Sequence, residues 1–328
     1  MRFAPDATLP PDSVAAVAEA FGLGAPLASE FVARGAMGAV NQIRTRRQGK
    51  TISWTVKRSY WNHFTDAEIG REVEFTMLCA EAGILAPRSI PRVGTGSYVL
   101  TLPHQPDGGS QYRVLEWVDG EVGRPEDPKT IPPLSEWMAR IHRLAVDPAD
   151  EPVDDWFSQV GYDWDRLIGR VQVRAPDLAE RMAGRLPDLH ALTDMVNTTA
   201  LTDTVYCHTD LGAENLVWSP LGPQLIDWEN AGPLGPHQEL GCRVRSLGAS
   251  GPAAYRAYRQ ADGPAEITDP RHFATAVAVN LNYLGCQAEL LLDDAHPEQH
   301  PFAKEQADNA IGELPDLGAL EDLVKVLS

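Results

Sequence analysis

At 328 residues, with 43% hydrophobic and 23% charged residues, the chain can bury a sizeable core as one large bilobed unit or two domains. Its 46 acidic against 28 basic residues give a net charge of -18 and a pI near 4.8, which argue against a nucleic-acid or anionic-membrane partner. The same acidity serves solubility and would attract a cationic small molecule. Cys79, Cys207, Cys242 and Cys286 are scattered without a CxxC, so neither a zinc site nor a disulfide framework is expected. No signal-peptide pattern and no stretch of membrane-spanning length is visible, so the expected location is the cytoplasm.

In chain order, Val14, Val17, Ala18 and Phe21 recur at helical spacing behind Asp12 and Ser13, two good caps, and Gly22 and Gly24 end that helix. Phe31 to Val40 reads as a strand, a turn containing Gly35 and Gly38, and a second strand. Such a loop can lay backbone N–H groups on phosphates. It is not a Walker A loop, because no GxxxxGK[ST] occurs. Residues 40–47 and 51–58 form a predicted hairpin around Gln48-Gly49-Lys50. Ile52, Trp54 and Val56 alternate with Ser53, Thr55 and Lys57, so Lys57 faces away from the apolar set; a slip of one residue would put Arg58 there instead.

Thr65-Asp66-Ala67-Glu68 is a capping box opening a helix that carries Ile69, Val73, Met77 and Leu78, with Glu72 and Glu74 along it. Residues 88–118 read as short strands, and Gly120 to Pro133, rich in proline and acids, is the boundary region. Leu134, Met138, Ile141 and Leu144 form a helical stripe, and residues 150–200 are expected to be helical. Further helices are expected over 252–262, 268–294, 301–312 and 316–327. Asp293, Asp294, Glu298 and Glu305 read as solvated helix ends or as the lining of a cleft for a cation.

The densest chemistry lies in Tyr206-Cys207-His208-Thr209-Asp210-Leu211-Gly212-Ala213-Glu214-Asn215 and in Leu225-Ile226-Asp227-Trp228. Leu216-Val217-Trp218 and Gln224-Leu225-Ile226 flank a Pro-Leu-Gly-Pro turn and predict a hairpin. Asp210 and Asn215 then lie on the loop entering it, and Asp227 at its exit. By themselves Asp210 and Asn215 could be mere turn residues. Two carboxylates and an amide at the ends of one hairpin make an oxygen-rich site for a hard cation such as Mg²⁺.

This His-x-Asp-x-x-x-x-Asn followed by Ile-Asp-Trp-Glu resembles the catalytic and metal-binding loops of the aminoglycoside phosphotransferase family, the small-molecule branch of the protein-kinase-like fold. The resemblance spans most of residues 31–247. It implies an α+β, bilobed protein-kinase-like fold: a small N-terminal lobe (1–118) with an antiparallel sheet and one helix, and a larger, mostly helical C-terminal lobe (119–328). It further implies an ATP- and Mg²⁺-dependent enzyme that moves the γ-phosphoryl group to a hydroxyl of a small molecule. Asp210 would be catalytic and His208 would brace its loop. Asn215 and Asp227 would hold the metal. Lys57 would pair with the ATP phosphates, steadied by Glu72 or alternatively Glu74. Gly35 and Gly38 would cover the phosphates, and the backbone at Glu116 and Val118 would meet adenine.

Two departures accompany the match. Where the family has Gly-Asp-Pro and then Asp-Leu, this chain has Leu-Gly-Pro and Glu239-Leu240, which touches the local loop packing but not the metal pair. No long activation segment or Ala-Pro-Glu follows, unlike a protein kinase. The acceptor implied is an aminoglycoside or other antibiotic, as in resistance enzymes. The rivals are a metabolic kinase for a sugar, amino alcohol or amino acid, and a nucleotide-binding pseudokinase, against which the intact Lys57, Asp210, Asn215 and Asp227 speak.

Overall fold

The computed structural model describes residues 8–34, 38–59, 64–102, 110–295 and 297–328. Contacts divide the chain into two units, one running to Gly123 and taking in Glu214–Glu229, the other made of Arg124–Ala213 and Asn230–Ser328. In this division the first break follows Gly123, and the hairpin after the Asp210 loop groups with the N-terminal unit.

The N-terminal unit opens with helix α1 (Pro11–Ala20). Asp12 and Ser13 lie in its first turn instead of capping it, because Pro11 at the first helical position fixes φ and makes Pro10 the cap residue. Strands β1 (Ala25–Arg34), β2 (Gly38–Arg47) and β3 (Lys50–Ser59) follow, with Gln48 and Gly49 in the left-handed region at the β2–β3 turn. Helix α2 (Asp66–Glu81) begins with the expected capping box, Thr65 and Glu68 each accepting from the other's backbone N–H. Its inward stripe is Ile69, Glu72, Phe75 and Cys79, while Met77 and Leu78 are exposed. Strands β4 (Leu100–Leu102) and β5 (Ser110–Glu116) complete an antiparallel sheet of order β1-β2-β3-β5-β4.

One face of that sheet buries Ile43, Trp54, Val56, Tyr112 and Val114 against Val14, Val17 and Ala18 of α1 and Phe21 at its C-terminal cap. Two of the polar groups inside are paired with each other: Thr45 Oγ1 donates to the Leu23 carbonyl at 2.7 Å and accepts from Trp54 Nε1 at 2.9 Å. The unit therefore has a second helix, α1, beside the one that the resemblance implies. Strand β6 (Glu121–Val122) closes this stretch.

The helical unit begins with α3 (Ile131–Leu144), then α4 (Asp155–Ser158), α5 (Trp164–Val171), α6 (Pro176–Gly184) and α7 (Leu186–Thr198), as expected for residues 150–200. Strand β7 (Val205–Cys207) leads into the Asp210 loop. The chain then crosses back to the first unit for β8 (Leu216–Ser219) and β9 (Gly222–Leu225), where β6 pairs with β8. Strand β10 (Gly232–Leu234) pairs antiparallel with β7 in the helical unit.

Helix α8 (Pro236–Ser246) follows at once, then α9 (Gly251–Gln260), α10 (Ala274–Leu291), α11 (His300–Glu313) and α12 (Leu317–Leu327). The sequence reading extends α10 back to 268, but Asp269 caps a 3₁₀ turn at Pro270–Phe273 and the α-helix starts only afterwards. Helix α10 is apolar nearly all round, as befits a central helix. Gly285 on it is required by contact, since a Cβ there would sit 2.2 Å from the Tyr162 ring. The acids near its end are engaged: Asp294 pairs with Arg174, and Asp293 accepts from the Ala295 N–H. Among the described residues no helix is long and apolar enough to cross a membrane, and all four cysteines are free.

Candidate active site

In the N-terminal unit, the two-residue period places Lys57 opposite the Trp54–Val56 face. Arg58, the residue one slip away, is buried, and its Nε donates to Ser110 Oγ at 3.0 Å. The Lys57 ammonium meets Asp227 and, at 2.8 Å, Glu229. Burial alone would push this ammonium down; Glu229 and Asp227 outweigh that and the nearby Arg113, so its pKa is raised.

Asp227 sits at φ +65°, a left-handed conformation that costs a non-glycine residue of order 1–3 kcal/mol. Its neighbours hold it there. Trp228 packs edge-on against Phe75 of α2 with ring centroids 5.8 Å apart, and its Nε1 donates to the Leu225 carbonyl at 3.0 Å. The Ile226 N–H donates to the carbonyl of buried Asn215 at 2.8 Å, which ties the two ends of the β8–β9 hairpin together.

Glu72 does not serve Lys57. It is buried, and its carboxylate is bonded by Arg113 on β5. Glu74 is exposed on the other side of α2. Gly35 lies outside the described residues. Gly38 is fixed by crowding, because a Cβ would lie 2.2 Å from the Arg58 carbonyl. At the end of β5 the Glu116 N–H donates to the Arg88 carbonyl at 2.9 Å, and the Glu116 carbonyl accepts from Thr55 Oγ1 at 3.3 Å. The backbone of Val118 enters no described hydrogen bond.

In the helical unit, β7 delivers His208, Thr209 and Asp210. His208 is fully buried, and its Nδ1 accepts from the Asp210 N–H at 3.3 Å. Thr209 is left-handed at φ +64°; its N–H donates to Glu239 Oε1 at 2.6 Å and its Oγ1 to the Asn230 carbonyl at 2.7 Å. Glu239, on α8, is buried, and its other oxygen accepts from His142 Nε2 at 2.7 Å. The chain of bonds continues: Tyr258 Oη donates to His142 Nδ1 at 2.8 Å and accepts from the Ala265 N–H at 3.0 Å. Every member is satisfied with the His142 proton on Nε2. Burial would push the Glu239 carboxyl up, but the bond from His142, the electrostatic attraction of the His142 and His208 rings and the Thr209 N–H outweigh it and hold it below its ordinary value.

Sequence reasoning missed Arg113, Glu229 and Glu239 as members of these clusters. The last had a signal, since Glu239-Leu240 stands where the resembled family has Asp-Leu. The longer carboxylate occupies that position and receives the Thr209 N–H, so the departure leaves the loop braced.

Two units of this composition, a five-stranded antiparallel sheet with its inward helix and a helical unit carrying the Asp210 loop, define the protein-kinase-like fold. Solved structures with this fold include an aminoglycoside phosphotransferase from Alicyclobacillus acidocaldarius, 16% identical over 99% of this chain and 98% of that one, with a TM-score of 0.61. A spectinomycin phosphotransferase, solved with ADP and spectinomycin, is 13% identical over 97% and 99%, with a TM-score of 0.66. An amicoumacin kinase, solved with AMP-PNP and Ca²⁺, is 13% identical over 94% and 96%, with a TM-score of 0.58. No curated protein sequence matches the chain. The profile of the phosphotransferase enzyme family matches residues 36–273. The chain belongs to that family, as a small-molecule phosphotransferase with an alcohol group as acceptor.

Proposed function

We propose that this protein moves the γ-phosphoryl group of ATP to a hydroxyl of a small molecule in an Mg²⁺-dependent reaction. The observation that carries the reading is the convergence of Lys57 with Asp227 and Glu229, an ammonium resting on carboxylates that a phosphate-bound cation could take over. The donor set fits Mg²⁺: Asp227 and Asn215 offer hard oxygen ligands, the kind this ion prefers. Bound Mg·ATP would supply the phosphoryl group and the cationic charge that neutralises it.

The residues of the chain would then divide the work. Lys57, released from its carboxylates, would hold the phosphates, and Asn215 and Asp227 would hold the metal. The free backbone of Val118 and the carbonyl of Glu116 would meet the adenine edge. Asp210 would orient the acceptor hydroxyl and take its proton at a carboxylate oxygen. A loose transition state asks more for alignment than for basicity, and the bonds from Asp210 N–H to His208 and from Thr209 N–H to Glu239 support that alignment. The acidic excess suits an aminated acceptor, and the fold neighbour solved with spectinomycin makes an antibiotic the first class to try.

The test is ADP release from Mg·ATP against a panel of aminoglycosides, other antibiotics, sugars and amino alcohols, with Asp210→Asn beside the wild type. Release that depends on one acceptor and falls by about 10²-fold or more in the variant is expected. Unchanged turnover in Asp210→Asn would sink the assignment.

A further inference from the structure

We infer that Arg113, not Lys57, is the residue that positions α2, so that Lys57 is left free for the nucleotide phosphates. This rests on the reading above that Lys57 meets those phosphates. Lys57 and Arg113 are direct cross-strand partners on β3 and β5, so their side chains share one face and compete for the same acids. Three carboxylates are within reach, and the structure divides them: Glu72 to Arg113, Asp227 and Glu229 to Lys57.

The division is set by burial. Arg113 is 3% exposed and its Nη1 has no hydrogen-bond partner, so Glu72 is the one carboxylate that neutralises it among the described residues. A guanidinium this deep cannot give up this counter-charge. Lys57 has two carboxylates and can exchange them. Strand β5 also grips the start of α2 from the same face. Two residues before Arg113, Gln111 accepts from the Phe64 N–H at 2.9 Å and donates to the Phe64 carbonyl at 2.7 Å. The Phe64 ring lies 5.8 Å from the Arg113 guanidinium carbon. Helix α2 is therefore tied to β5 by bonds already made without a nucleotide, and its placement does not wait for ATP.

Two double-mutant cycles on the full chain, read by melting temperature with and without Mg·ATP, test this. Arg113→Met should lower the melting temperature by roughly 4–7 °C, and Arg113→Met with Glu72→Leu should lose much less than the sum of the single losses. Lys57→Met and Glu72→Leu should add independently, with or without nucleotide. Arg113→Met should also raise KM for ATP by on the order of tenfold with a smaller change in kcat, because the orphaned Glu72 captures Lys57. Arg113→Lys, which can keep the single contact, should restore both readouts, and it carries the test if Arg113→Met does not fold. Strong coupling of Lys57 to Glu72 in Mg·ATP, or a wild-type KM in Arg113→Met, would overturn the inference. A wild type that Mg·ATP does not stabilise would sink the nucleotide reading instead, while the Arg113–Glu72 cycle without nucleotide would still decide where α2 is tied.

Discussion

Replacing Glu239 by glutamine isolates one carboxylate in an otherwise isosteric side chain. In the native protein its two oxygens accept from the Thr209 N–H at 2.6 Å, in a part-buried bond, and from His142 Nε2 at 2.7 Å, in a buried one. A glutamine offers one acceptor and one N–H₂ to two donors, so one donor must face another donor. Moving the His142 proton to Nδ1 relieves that clash but leaves the Tyr258 hydroxyl proton without its acceptor. Either way one buried polar group is unpaired and a charge-assisted bond is weakened, at a combined cost of about 3–5 kcal/mol. For a chain of this length that is a fall of roughly 4–7 °C in melting temperature. The released Thr209 relaxes from its left-handed conformation and carries Asp210 with it, so kcat should fall about 10–100-fold. Thermal unfolding by calorimetry and steady-state turnover read the two effects. A variant melting within about 2 °C of wild type with native kcat would refute the reasoning. The pH dependence has a definite sign. The folded carboxyl is held below its ordinary value, so its stabilisation is complete above the unfolded pKa, near 4.3, and drains as pH falls through the lower folded value. The glutamine variant should lack that acid-side loss.

Asp227→Ala should weaken Mg·ATP binding by tenfold or more, as titration calorimetry would show, and unchanged affinity would count against a metal role. Gly38→Ala should destabilise the β2–β3 edge, because its Cβ would overlap the Arg58 carbonyl; a lower urea midpoint of about 1–3 kcal/mol equivalent is expected. Burial pushes the Cys207 thiol well up and the Cys242 thiol to about 12, so both should resist alkylation near neutral pH in the native protein and react on unfolding, as mass spectrometry would show.

Much of the site could be read from residue order because it is local. The alternation of Ile52, Trp54 and Val56 fixed the face of Lys57, and the Pro-Leu-Gly-Pro turn fixed the hairpin that separates Asn215 from Asp227. What escaped depends on partners far apart in sequence. Glu72 on α2 looked like the match for Lys57 until Arg113, 41 residues further on, placed a buried guanidinium beside it. The resemblance assigns the stretch after Arg113 a backbone role, in which side chains carry no signal. Helix α8 is not among the helices expected from the sequence, although Pro236 at its first position is a good helix start. The spacing of Met77 and Leu78 fits an apolar stripe, yet the inward face of α2 is set by Ile69, Phe75 and Cys79 around a charged residue.

The discontinuity of the N-terminal unit bears on how such proteins can be divided and inherited. A fragment ending at Gly123 would part β6 from β8 and leave Lys57 without both carboxylates that neutralise it, since Asp227 and Glu229 arrive from beyond residue 213. Recombination at that single point would join one parent's lysine to another parent's acids. Exchanges between homologues that keep this charge balance would have to move the segment 214–229 together with the first 123 residues, or else conserve its sequence.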